Sequence, residues 1–206
     1  MIRISGGEAK GRRIRVKKAF ATKIGADELR PTSSKVREAL FDIMRNELPG
    51  SSLLDLYAGT GGVGIEALSR GAAQVVFVES NTIRVDIIRQ TVGRLHFTEH
   101  AKVIEGKALE FVGREGMKGH RYDIVFLDPP YHSEELAKIL PLLGEGRILK
   151  EGGVVVVEHF SKTSIPECIR LLSLKKRYKY GDTSLTVYKL EKGGPDRLKD
   201  DLGNRE

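Results

Sequence analysis

From Ser52 onward the chain alternates short apolar runs with segments whose apolar residues recur every three or four positions. Leu53-Leu54-Asp55-Leu56, Val75-Val76-Phe77-Val78, Lys102-Val103-Ile104, Ile124-Val125-Phe126-Leu127 and Val154 to Val157 read as strands. Between them, helical spacing runs from Gly62 to Leu68, from Ile83 to Val92, around Ala108 to Val112 and from Ser133 to Leu143. Ile165 to Leu172 is predicted as a further helix, and Leu174 to Tyr180 with Ser184 to Leu190 as a closing pair of strands around Gly181-Asp182. Ahead of all these, Val36, Ala39, Leu40, Ile43 and Met44 mark a helix with Thr32 or Ser33 as its N-cap, ended by Pro49-Gly50. Such alternation predicts an α/β fold: a mostly parallel sheet with helices on both faces and an antiparallel edge.

Charge divides the chain unevenly. Its formal net charge is +7, yet residues 1–37 hold 11 Lys or Arg against 3 Asp or Glu, which leaves 24 against 25 for the rest. Ile2, Ile4, Ile14, Val16 and Phe20 are interleaved with those cations, so the segment reads as short strands presenting a phosphate-binding surface rather than a loose tail. Three regions follow: a basic RNA-binding arm over 1–37, a main α/β domain over 38–192, and a polar, flexible tail over 193–206.

Composition narrows the chemistry. The longest uncharged apolar stretch, Gly152 to Val157, falls far short of the roughly 20 residues that span a bilayer, and charges stand where a signal peptide is apolar. The expected location is cytoplasmic. A lone cysteine, Cys168, excludes an internal disulfide and a multi-cysteine zinc site, and is expected on a half-buried helix face. His96, His100, His120, His132 and His159 show no metal-ligand spacing, so no metal is expected.

Two motifs carry the chemistry. Gly59-Thr60-Gly61-Gly62-Val63-Gly64 lies between a strand and a helix, where backbone N–H groups can approach a ligand, and Glu79 ends the next strand, where a carboxylate can accept from both ribose hydroxyls. Together they indicate an adenosine-containing cofactor. S-adenosylmethionine fits better than a dinucleotide, because Asp55 gains a role in ordering the loop or receiving an ammonium group and no separate substrate domain is required. The second motif, Asp128-Pro129-Pro130-Tyr131, directly follows a buried strand. A carboxylate and a proline-fixed carbonyl both accept from an NH2 group, and an aromatic ring offers a stacking face. This combination indicates chemistry on a nucleobase amino group.

On these residues the chain resembles class I S-adenosylmethionine-dependent methyltransferases, and more closely the RsmD family of ribosomal RNA guanine-N2 methyltransferases. The carriers are Arg3-Ile4-Ser5-Gly6-Gly7 with Gly11-Arg12-Arg13, Arg30-Pro31-Thr32, the run Leu54 to Gly61, Glu66 to Ala72, Asp128 to Tyr131 and Tyr180-Gly181-Asp182-Thr183. The resemblance implies a Rossmann-like sheet of seven strands, one of them antiparallel, and methylation of one guanine of small-subunit ribosomal RNA, within an assembled or partly assembled particle. It assigns Asp128, Pro129 and Tyr131 to the target base. Asp55, Tyr57, Gly59, Gly61, Glu79 and Ala108 fall to the cofactor, and Arg12, Arg13, Arg30 and Thr32 to RNA. Lys107 stands where the wider class often places an acidic or amide residue against the adenine, so that contact is expected from the Ala108 backbone. Two rival readings share parts of the pattern. A DNA adenine-N6 methyltransferase uses the same amino-group clamp but needs a base-reading domain, and a noncatalytic RNA-binding ribosome assembly factor would keep the fold as a scaffold.

Overall fold

In the computed structural model, residues 2–14, 34–130 and 133–191 are described. The chain divides into two compact units, Met1–Lys107 and Ala108–Glu206.

The first unit opens with two short antiparallel strands, β1 (Ile2–Arg3) and β2 (Arg13–Ile14). Helix α1 (Ser34–Ile43) follows, and then a β-α-β-α-β series of β3 (Ser52–Leu56), α2 (Gly62–Ser69), β4 (Gln74–Glu79), α3 (Thr82–Arg94) and β5 (Ala101–Glu105). The three longer strands are parallel in the order β5-β4-β3. Leu53 to Leu56 are all buried, as a parallel strand covered on both faces requires, and Asp55 is the single charge among them. Helix α2 lies so close to β4 that a Cβ on Gly64 would stand 2.2 Å from the Phe77 ring. Helix α3 starts where the Asn81 side chain accepts from the Arg84 N–H at 3.2 Å, and it buries Val85, Ile87, Ile88 and Val92.

The described part of the basic arm is fastened to α2. Ser69 Oγ donates to the Gly6 carbonyl at 2.7 Å and accepts from the Ala9 N–H at 2.9 Å, while the Glu8 N–H reaches the Ser69 carbonyl at 2.8 Å. Ile4 and Ile14 are buried, which explains the apolar residues between the arm's cations. Beneath the arm, the wholly buried Glu66 accepts from Arg37 Nε at 2.9 Å, from Arg70 Nη2 at 2.8 Å and from Ser5 Oγ. Arg37 also donates to the Arg3 carbonyl at 2.8 Å, so one carboxylate organises α1, α2 and the arm.

The second unit contains α4 (Ala108–Lys118), β6 (Tyr122–Leu127), α5 (Glu135–Gly144), β7 (Leu149–Phe160), β8 (Cys168–Ile169), β9 (Leu172–Tyr180) and β10 (Thr183–Leu190). Its strand order is β6-β7-β10-β9-β8; β6 and β7 are parallel and the remaining pairings antiparallel. Strands β3 to β10 therefore number eight, where seven were expected. The surplus is β8, in the stretch from Ile165 to Leu172 that helical spacing had suggested as a helix. Arg170 at φ 55 leaves the helical region and turns the chain so that Ile169 pairs with Leu172. Cys168 is consequently exposed on a strand rather than half-buried on a helix. Among the described residues no helix is long and apolar enough to cross a membrane.

Candidate active site

In the first unit the candidate site is the loop between β3 and α2. Tyr57 takes φ 62, a left-handed conformation that costs a non-glycine residue about 1–3 kcal/mol and is found where the surroundings dictate the backbone. The loop is tied to β4 by the Ala58 N–H on the Val78 carbonyl at 3.0 Å, and it closes on itself through Gly61 N–H to the Ala58 carbonyl at 2.8 Å. Gly61 caps α2 at φ 80 and, as a glycine, offers the helix no capping side chain of its own. A Cβ on Gly59 would meet nothing nearer than the Tyr57 carbonyl at 4.0 Å, so the space beside this glycine is open.

Two carboxylates hold that loop from below. Glu79, 5% exposed, accepts from the Gly59 N–H on Oε2 and from the Asn81 N–H on Oε1, both at 2.8 Å. The Gly106 N–H meets the Glu79 carbonyl at 3.0 Å, which links the ends of β4 and β5. Asp55, 1% exposed, accepts from the Gly64 N–H at 2.9 Å and so pins the first turn of α2. Burial pushes its carboxyl up to about 7; the Gly64 N–H opposes that shift and the charge of Glu79 adds to it.

In the second unit the site lies at the carboxyl end of β6. Asp128 is partly exposed, Pro129 is buried and Pro130 exposed. The Pro130 carbonyl accepts from Ser133, from the backbone N–H at 3.3 Å and from Oγ at 2.7 Å. Pro129, Pro130, Ser133, Leu140, His159 and Phe160 are among the residues lining a pocket of about 410 Å³. His159 Nδ1 lies 2.9 Å from the Phe160 carbonyl, which can only accept, so Nδ1 carries the proton and Nε2 accepts from Thr186 Oγ1 at 2.8 Å. Burial lowers the His159 pKa; the bond to the Phe160 carbonyl opposes that shift and the positive charge of Arg177 adds to it.

The expected cofactor residues Asp55, Tyr57, Gly59, Gly61 and Glu79 are thus brought together within the first unit. Ala108, buried, begins α4 in the second unit, where Asp128 and Pro129 also lie. Arg12 and Arg13 are exposed on the arm. Tyr131, Arg30 and Thr32 lie outside the described residues. Sequence reasoning missed the Glu66 cluster, although Glu66 and Arg70 stand one helical turn apart in an otherwise apolar helix, which is the spacing of an ion pair. Among the described residues no group of three or more His, Cys, Asp or Glu is placed to hold a metal.

Comparison with known proteins gives consistent matches. The profile of the family described as Conserved hypothetical protein 95 matches residues 2–189. A Bacillus subtilis protein, YlbH, is 32% identical over 188 residues, which cover 91% of this chain and 98% of that one. Escherichia coli ribosomal RNA small subunit methyltransferase D is 30% identical over 193 residues, covering 94% of this chain and 92% of its own length. The solved structure of the Escherichia coli protein yhhF superposes with a TM-score of 0.80 at 27% identity, covering 93% of this chain and 99% of that one.

Proposed function

The chain belongs to the RsmD family of ribosomal RNA methyltransferases, and on that premise we propose that it transfers a methyl group from S-adenosylmethionine to N2 of a guanine in small-subunit ribosomal RNA. The observation that carries the choice of an amino nitrogen is Asp128-Pro129-Pro130-Tyr131 directly beyond buried strand β6, a set of acceptors with no backbone N–H at either proline.

The first unit suits the cofactor. Each Glu79 oxygen already takes one backbone N–H and keeps a further lone pair, so the pair can receive two ribose hydroxyls. The N–H groups that open α2 favour a carboxylate, with that of Gly64 held by Asp55, and the open space at Gly59 admits a ligand close to the backbone. Asp55 acts through the Gly64 N–H, holding that first turn in place. Tyr57 completes this set within the first unit. When bound, S-adenosylmethionine supplies a methyl group on positively charged sulfur.

Asp128 and the Pro129 carbonyl receive the two hydrogens of the guanine amino group and turn its lone pair out of conjugation with the ring. The nitrogen gains positive charge as it is methylated, so the Asp128 carboxylate stabilises the transition state more than the ground state and can then take the released proton. Tyr131 stacks on the base. An unpaired or loop guanine suits this arrangement, because a stacked base must be extruded before its amino group can be reached. Arg12, Arg13, Arg30 and Thr32 hold the RNA backbone, and the substrate is an assembled or partly assembled small subunit in the cytoplasm.

The test is Asp128→Asn, which keeps size and shape but removes the charge. Turnover on small-subunit RNA should fall by about 100-fold or more while S-adenosylmethionine affinity, measured by calorimetry, stays within about twofold. A variant that methylates at a near-normal rate refutes the role of Asp128.

A further inference from the structure

A second feature of the second unit has no part in the chemistry above. The nine residues of β9, Leu172–Tyr180, include Lys175, Lys176, Arg177 and Lys179 and no acid, and all four cations are exposed. This contrasts with the slightly negative balance of the chain beyond residue 37. Thr183 of β10 stands opposite both Phe160 of β7 and Tyr180 of β9, so the two rings flank it on one face of the sheet. Tyr178, two residues from Tyr180, shares that face. Tyr180 is 37% exposed, one of few large apolar side chains so open to solvent. Lys176 Nζ sits 5.0 Å from the centre of the Tyr178 ring, and Lys162 Nζ sits 5.9 Å from that of Phe160. A register shift beside Lys176 adds local twist, which presents these side chains at different angles.

Aromatic faces interleaved with cations on an open sheet surface are what an unpaired nucleic-acid strand requires: rings to stack its bases and ammonium groups to neutralise its phosphates. The location agrees. Strand β6 runs parallel to β7 with Leu127 opposite Val157, so Asp128 and Phe160 leave the same end of the sheet, Phe160 about 7 Å further along. We propose that Phe160, Tyr178 and Tyr180, with Lys162 and Lys176, form a stacking platform for unpaired nucleotides flanking the methylated guanine. The choice of RNA as partner rests on the function proposed above.

The experiment measures binding of a fluorescent single-stranded oligoribonucleotide, and of the same sequence as a duplex, to the full chain by anisotropy, with methyl transfer followed in parallel. Tyr180→Ala should weaken single-strand binding by at least about fivefold. The double substitution Lys162→Gln, Lys176→Gln at exposed positions should lower the slope of log affinity against log salt by about 1.4. S-adenosylmethionine affinity should be unchanged in both. The proposal is overturned if both variants bind the single strand as the wild type does, or if the wild type prefers the duplex. Unchanged affinity with increased self-association of the double variant would overturn the platform and assign the lysines to guarding an exposed strand edge. A wild type that binds the strand through these residues yet methylates no RNA would overturn the proposed function and leave the platform standing.

Discussion

Replacing Asp55 by Asn tests the electrostatics of the glycine loop directly. The side chain is 1% exposed, its Oδ2 accepts from the Gly64 N–H at 2.9 Å, and its pKa is raised from 3.8 to about 7, chiefly by burial. Because the folded state holds this proton more tightly than the unfolded chain, the group's contribution to stability is fully present below pH 3.8 and is lost as pH rises through about 7. One pKa unit corresponds to about 1.4 kcal/mol, so linkage between pH 5 and pH 8 gives a loss of about 2–3 kcal/mol from this carboxyl. Asn preserves an acceptor for Gly64 and has no proton to release. Urea denaturation of the wild type and Asp55→Asn at pH 5 and pH 8 should therefore show the variant gaining about 2–3 kcal/mol relative to the wild type at the higher pH. All other titrating groups are common to both proteins and cancel. A relative stability that stays within about 0.5 kcal/mol across this range would refute the assignment of a raised pKa to Asp55.

Three further perturbations address other parts of the molecule. Glu66→Ala strands the buried Arg37 guanidinium without its partner and should cost about 3–5 kcal/mol by denaturation, much of it recovered when Arg37→Met is combined with Glu66→Leu. Gly64→Ala places a methyl 2.2 Å from the Phe77 ring and should destabilise by about 1–3 kcal/mol, with Phe77→Leu in the same chain restoring part of the loss; calorimetric melting reads both. Arg12→Gln with Arg13→Gln, both exposed on the arm, should raise KM for RNA and reduce its salt dependence by one to two units of slope, with S-adenosylmethionine affinity unchanged.

Much of the fold was legible because parallel strands buried on both faces leave continuous apolar runs. Leu53 to Leu56 and Ile124 to Leu127 are read as strands from sequence and are strands in the structure. Strand ends were less legible: β7 extends from Leu149 to Phe160, well beyond the Val154 to Val157 core, because Glu158 and His159 continue the ladder as buried polar residues that no apolar run marks. The helix expected over Ile165 to Leu172 failed because a short apolar stretch fits either period, and the turn at Arg170 depends on a left-handed backbone angle that an arginine does not advertise. At the site, Glu79 and the glycines could be placed from strand-loop-helix order alone. The arm's attachment to α2 could not, since it depends on contacts 60 or more residues apart in sequence, such as Ser69 with Ala9 and Gly6.

The central claim is methylation of a guanine amino group in small-subunit ribosomal RNA, and the most direct measurement of it is transfer of labelled methyl from S-adenosylmethionine. Small-subunit particles lacking the modification, naked small-subunit RNA and duplex DNA should be offered side by side, with the labelled nucleotide identified by mass spectrometry. The account predicts label on N2 of one guanine, in the particle above all, and none after Asp128→Asn. Label on adenine in DNA, or no label from a protein that demonstrably binds S-adenosylmethionine, would contradict it.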